Sequence, residues 1–298
     1  MKAQLLLGAV AALTFAGSAL AQEAGTQTPE AAAAGIPAAA WRTVAPENLL
    51  VIDTSRGRIL VEMAPEIAPR HVERVRRLAR DGFYDNQRFH RVIDWFMAQT
   101  GDPLSRGGDR ALWGEGQSAY PDLDAEFTFR RAPEMAFAPV SSPMGSLEGF
   151  IGSLPIMSQP DELMSQTGDG KVHGWATYCP GVAGMARDED NNSANSQFFI
   201  MRQAYPSLDK RYTVWGRAIV GLDVVRALSH GTDPSGAVAE PDMMTRVQVA
   251  ADIPEAERPT VRILSTGSQT FRDLVDQVRA ARGADFSLCD IDLPAEVS

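Results

Sequence analysis

The chain has 298 residues, 38 acidic against 28 basic side chains, a net charge of −10 and a hydrophobic share of 44%. That length allows one large domain or two small ones, with ample material for a core. The acidic balance argues against nucleic acid as the main partner, because phosphate binding needs a basic patch, and two cysteines cannot by themselves close a zinc site.

Met1-Lys2-Ala3-Gln4 opens the chain, an apolar run spans Leu5 to Leu20, and Ala19-Leu20-Ala21 precedes Gln22. A basic start, a short apolar middle and an Ala-x-Ala site predict a secretory signal over 1–21, cleaved after Ala21. The run is short for a bilayer span. The mature protein is therefore expected to be periplasmic or secreted, with no membrane insertion. Export permits a disulfide between Cys179 and Cys289, while spacing alone leaves two separate buried thiols equally open. Residues 22–47, rich in Ala, Gly, Pro, Thr and Gln, predict a flexible tether.

Structure is expected from Leu49. Two β-type runs, Leu49 to Asp53 and Arg58 to Glu62, flank Thr54-Ser55-Arg56-Gly57 and predict a hairpin. A helix follows between Ala64 and Gly82, with Pro69 in its first turn and Val72, Val75, Leu78 and Ala79 on one side. His71, Arg74 and Arg77 read as its solvated face. From Gln87 to Asp102 come two strands with one break. Alternation places Phe89, Arg91 and Ile93 together and turns His90 away as a hydrogen-bonded interior histidine.

Beyond Asp102 the sequence turns Gly-, Ser-, Pro- and Met-rich. Residues from about 130 to 174 show little periodicity and read as a long surface insertion. Order returns with Gly181 to Arg187 and with Ser196 to Met201, where Gln197 and Phe199 share one face and Phe198 and Ile200 the other. A turn and strand at Leu208 to Arg217 and a short helix after Gly221 complete a unit over 48–250. A C-terminal extension over 251–298 carries a strand at Thr260 to Leu264 and a one-sided helix from about Thr270 to Arg282.

Four stretches stand in one order: FHRVIxxFMxQxGD at Phe89 to Asp102, GxxxMAR at Gly181 to Arg187, SQFFI at Ser196 to Ile200, and LDxxYTVWGR at Leu208 to Arg217. Together they resemble the cyclophilin family of peptidyl-prolyl cis–trans isomerases, from about Leu49 to Leu228. The resemblance implies a mainly β fold, a closed eight-stranded antiparallel barrel capped by two helices. It also implies a groove on one side of the barrel, with Arg91 as the catalytic residue. Phe96, Met97, Gln99, Gln197, Phe199 and Leu208 match the family's substrate-groove positions, and Ala186 a position lining them. Arg187 stands where many relatives carry Asn, and Tyr212 replaces a frequent His. Asp94-Trp95 replaces a common Pro-Gly, and Ser207 stands where animal cytosolic members carry Trp. The implied partners are proline-containing polypeptides and the implied state a monomer, with no metal, nucleotide or other cofactor. Two other functional classes fit the sequence less well. A non-catalytic chaperone or peptide-binding module has no need of the whole Arg91 set, and a serine hydrolase lacks its GxSxG turn.

Overall fold

The computed structural model describes residues 35–298, so the expected signal and half of the expected tether lie outside the described residues. In chain order the strands are β1 (Trp41–Thr43), β2 (Leu49–Thr54), β3 (Gly57–Met63), β4 (Arg91–Val92), β5 (Met97–Thr100), β6 (Phe129–Arg131), β7 (Phe137–Ser141) and β8 (Leu147–Ile151). They continue with β9 (Leu154–Ser158), β10 (Val172–Ala176), β11 (Val182–Met185), β12 (Phe198–Met201), β13 (Val214–Val220), β14 (Met244–Val249), β15 (Val261–Leu264) and β16 (Ala295–Val297). The α-helices are α1 (Pro69–Arg80), α2 (Leu222–Ala227) and α3 (Gln269–Arg282). Among the described residues no helix is long and apolar enough to cross a membrane.

Eight strands form one antiparallel sheet in the order β14-β2-β3-β13-β11-β12-β5-β4, curled around an apolar interior. Phe198 is the centre of that interior, edge-on to Tyr84 and to Trp215 with ring centroids 5.4 Å away in both cases. The expected continuous closure needs correction. No regular ladder joins β4 to β14. The seam is held by single bridges, Arg88 to Met243 and Arg91 to Ala237, and by bonds such as Phe89 N–H to the Asp242 carbonyl at 2.9 Å. The reason is local: Asp233-Pro234-Ser235-Gly236, where Gly236 takes φ 75°, cannot run as a strand beside β4.

Helix α1 starts with Pro69 at its first position and is followed by Gly82 at φ 63°, a left-handed stop that glycine adopts without strain. Val72, Val75 and Leu78 are buried against the barrel end, each contributing about 2 kcal/mol. The opposite side is not the solvated face expected. His71 is fully buried with its Nδ1 2.7 Å from Glu126 Oε2, and Arg74 donates to the Pro121 and Asn195 carbonyls at 2.7 and 3.2 Å. The segment Tyr120–Glu126 folds back over both, and of the three residues expected in solvent only Arg77 stays exposed, above the Tyr120 ring.

The regions outside the barrel are more ordered than their composition predicts. The insertion is a second antiparallel sheet, β6-β10-β9-β8-β7. Its periodicity is masked by Pro139, Gly149, Pro155 and Gly174 inside the strands. Gly149 has a packing reason, since a Cβ there would lie 2.2 Å from the Ala138 carbonyl oxygen. The tether expected over 22–47 also needs correction: Trp41–Thr43 pairs with β15, which pairs in turn with β16. These additions cover the barrel's outer surface. Leu49, Val51 and Leu60 pack outward against Phe150, Ile263 and Phe271, which accounts for the unbroken apolar run of β2. The disulfide Cys179–Cys289 joins the barrel side to the C-terminal extension.

Candidate active site

The site lies on the outer face of β4, β5 and β12. Register sets it: Arg91 pairs with Gln99, and Gln99 with Phe199, so three side chains stand in a row across neighbouring strands. Their neighbours Val92, Ala98, Phe198 and Ile200 point into the barrel. One detail departs from the alternation expected upstream. Phe89 is fully buried in the interior instead of sharing a face with Arg91, because residues 89–90 are not in a regular strand and the period of two does not count through them.

A cavity of about 180 Å³ opens here, lined by Arg91, Phe96, Met97, Gln99, Ala186, Arg187, Phe199, Leu208 and Tyr212. Gln197, the tenth groove residue expected, stands behind Gln99 rather than at the wall. A chain of hydrogen bonds runs along the polar side. Arg91 Nη1 donates to Gln99 Oε1 (3.1 Å), Gln99 Nε2 to Gln197 Oε1 (3.0 Å), and Gln197 Nε2 to the Gly114 and Gly116 carbonyls (2.7 and 2.9 Å). Arg91 Nε donates to the Ser235 carbonyl at 2.9 Å. Among the described residues, Arg91 forms no ion pair and its Nη2 donates to nothing. Burial lowers its pKa from the usual arginine value, opposed by Tyr212, but a guanidinium has far to fall and remains charged.

The apolar side is built in two layers. Phe199 is stacked on Tyr178 with centroids 5.7 Å apart and meets Tyr212 edge-on at 5.8 Å. The stack requires Gly184, since a Cβ there would sit 2.5 Å from the Tyr178 hydroxyl. Phe96 rests on Tyr205 at 4.6 Å, with Trp95 stacked outside it and largely exposed. Arg187 does not reach across the groove. Its guanidinium lies 4.6 Å from the Tyr212 ring centroid and donates to the Arg211, Asp188 and Glu189 carbonyls, which ties down the rim.

Three contributors escaped sequence reasoning. Tyr178 and Tyr205 form the second aromatic layer, and no periodicity marks either. Asp209 follows the groove residue Leu208 and accepts from the Tyr178 amide (3.0 Å) and the Thr177 hydroxyl (3.1 Å). Burial pushes its carboxyl up to about 6, against the lowering effect of those two bonds. His90, expected to be hydrogen-bonded, is buried with neither ring nitrogen partnered among the described residues, and burial lowers its pKa.

The sequence model of the family described as "Cyclophilin type peptidyl-prolyl cis-trans isomerase/CLD" matches residues 49–249. A probable peptidyl-prolyl cis-trans isomerase of Brucella suis is 35% identical over 212 residues, covering 70% of this chain and 85% of that protein. Its Brucella abortus counterpart shows the same identity and coverage. Among solved structures, the cyclophilin AquaCyp293 from Hirschia baltica superposes with a TM-score of 0.76 at 34% identity, over 86% of this chain and 93% of that one. A match through the whole barrel, together with relatives aligned over most of their length, shows that this chain belongs to the cyclophilin-type peptidyl-prolyl cis–trans isomerase family.

Proposed function

We propose that Arg91 is the group with which this isomerase lowers the barrier to rotation about Xaa-Pro bonds. That barrier, about 18–20 kcal/mol, is lost amide resonance, and it makes exchange take tens to hundreds of seconds unaided. As the bond twists, the proline nitrogen becomes pyramidal and recovers a lone pair. A donor aimed at that lone pair binds the twisted state better than either planar state, which is the condition for acceleration. The observation that carries this reading is the state of Arg91: charged, without an acid partner, held at two nitrogens, and left with Nη2 free beside a cavity walled on one side by Phe96, Met97, Phe199 and Leu208. Gln99 and Gln197 act as positioning residues, because their chain of bonds fixes the guanidinium. Phe96, Met97, Phe199 and Leu208 receive the proline ring and exclude water, which strengthens the interaction. Ala186, Arg187 and Tyr212 shape the rim where the substrate backbone lies.

The clients we assign are proline-containing polypeptides of the exported class, with the protein itself periplasmic or secreted and monomeric. The basic start, apolar run and Ala19-Leu20-Ala21 support export. The unit over 48–250 carries the activity in this reading. The test is cis–trans exchange of a short Xaa-Pro peptide followed by NMR. Wild type accelerates exchange, and Arg91→Ala loses roughly a hundredfold or more of that rate while still binding the peptide. A folded wild type that leaves exchange at its spontaneous rate overturns the assignment.

A further inference from the structure

A second cavity, of about 770 Å³, lies where β3, the free edge of β7 and the start of α3 meet. Its volume is about four times that of the groove and in the range of ligand sites. Met135, Phe137, Ile151 and Phe271 make its walls mainly apolar.

The polar groups that the β7 edge turns toward it are acceptors. The β8–β9 hairpin turns through Gly152 and Ser153 and closes on the pair Ile151–Leu154. A closing pair of this kind exchanges hydrogen bonds, and bonded pairs then alternate along the strand. The peptide groups of Phe150 therefore face β7, where they meet Ala138. Pro155, opposite Phe150 on the other side, has no N–H and fits that alternation. It follows that the peptide groups of Phe137 and Pro139 point out of the sheet at its free edge. Proline brings no N–H there, and the Phe137 N–H is taken by the Met135 carbonyl at 2.7 Å. The edge thus offers two carbonyl oxygens and no donor.

The charged groups agree. Arg42 commits both terminal nitrogens to Glu62, at 2.5 and 2.7 Å. Arg272 commits its three to Gln269 Oε1 and the Gly267 carbonyl. Opposite the β7 edge, the first turn of α3 is capped by Ser268, which accepts from the Phe271 amide. Of the two carboxylates lining the cavity only Glu66 is without an ion pair among the described residues; it stands exposed at the rim, and partial desolvation, with Glu62 nearby, raises its pKa.

We propose that this cavity binds an apolar polypeptide segment through a lysine or arginine side chain set against Glu66 and the Phe137 and Pro139 carbonyls. Pro139 prevents a visiting strand from extending the sheet in full, so a donor-rich side chain, not backbone pairing, carries the recognition. The site gives the chain a second hold on a client, apart from the groove and independent of the role assigned to Arg91.

The test uses a fluorescent, proline-free pentapeptide with one arginine among leucines and phenylalanines, and its twin with glutamate in place of arginine, titrated by anisotropy. The arginine peptide binds saturably and the glutamate peptide at least tenfold more weakly. Glu66→Gln weakens the arginine peptide by about tenfold, the loss of one charge-assisted bond. Ala136→Trp, which fills the cavity from its exposed rim, abolishes binding. Both variants keep wild-type Xaa-Pro exchange, which also certifies their folding, and Arg91→Ala binds the arginine peptide as wild type does. Equal affinity for the two peptides, no saturable binding, or complete displacement by excess Xaa-Pro peptide would each overturn the proposal.

Discussion

The two cavities are made by different means. The groove is an outcome of strand register: Arg91, Gln99 and Phe199 are adjacent because β4, β5 and β12 pair as they do. The junction cavity is an outcome of docking, where three separate parts of the chain meet over the outer face of β2 and β3. In the groove a donor is left free, while at the junction the terminal guanidinium nitrogens of Arg42 and Arg272 are committed and acceptors are left free. Size therefore says less about chemistry than which hydrogen-bonding groups remain unspent, and it is the smaller cavity that we propose for isomerisation.

The comparison predicts that the two regions fail separately. Phe150 is fully buried at the junction and meets Phe271 edge-on at 5.6 Å. Phe150→Ala should cost about 3–5 kcal/mol in a urea melt and still leave Xaa-Pro exchange near wild type below the transition. Loss of exchange in the folded variant would show that groove and junction are one unit. Cys289→Ser opens a link between positions 110 apart in sequence and should cost about 2–4 kcal/mol. Because Cys179 adjoins Tyr178, a changed KM in that variant would show that the extension braces the groove.

Arg91→Ala should lose roughly a hundredfold in exchange rate, about 3 kcal/mol of barrier, with no change in the melt. Asp209 tests the groove from below. Its folded pKa of about 6 exceeds the unfolded carboxyl value, so the folded state holds the extra proton between roughly pH 4 and 6. Stability should then fall by about 1–2 kcal/mol as pH rises through that window, and Asp209→Asn should flatten the slope in pH-dependent melts. Smallest is Gln197→Ala, which unties Gln99 from the Gly114 and Gly116 carbonyls. We expect roughly a fivefold loss in kcat with KM little changed, on the order of 1 kcal/mol from one hydrogen bond, and partial rescue in Gln197→Asn.

Much of the barrel was legible in the chain. The β2–β3 hairpin, the proline start and glycine stop of α1, and the split of Gln197 and Phe199 from Phe198 and Ile200 all follow from local periodicity. All ten side chains singled out for the groove are brought together: nine line the cavity, and Gln197 stands directly behind it in the hydrogen-bond chain. The insertion was not legible. Pro and Gly inside β7, β8, β9 and β10 erase the strand pattern, and those residues are tolerated only because neighbouring strands fit around them.

By itself the sequence determined the family, the main barrel strands and the candidate groove residues, since these depend on short-range alternation and on motifs in a set order. Only the tertiary structure decided which charges are free. His71 and Arg74 look like surface residues until Tyr120–Glu126 folds over them. Arg42 looks available until it meets Glu62. Hydrogen bonds between residues far apart in sequence leave no periodic trace, so whether a donor is spent or spare is settled by packing alone.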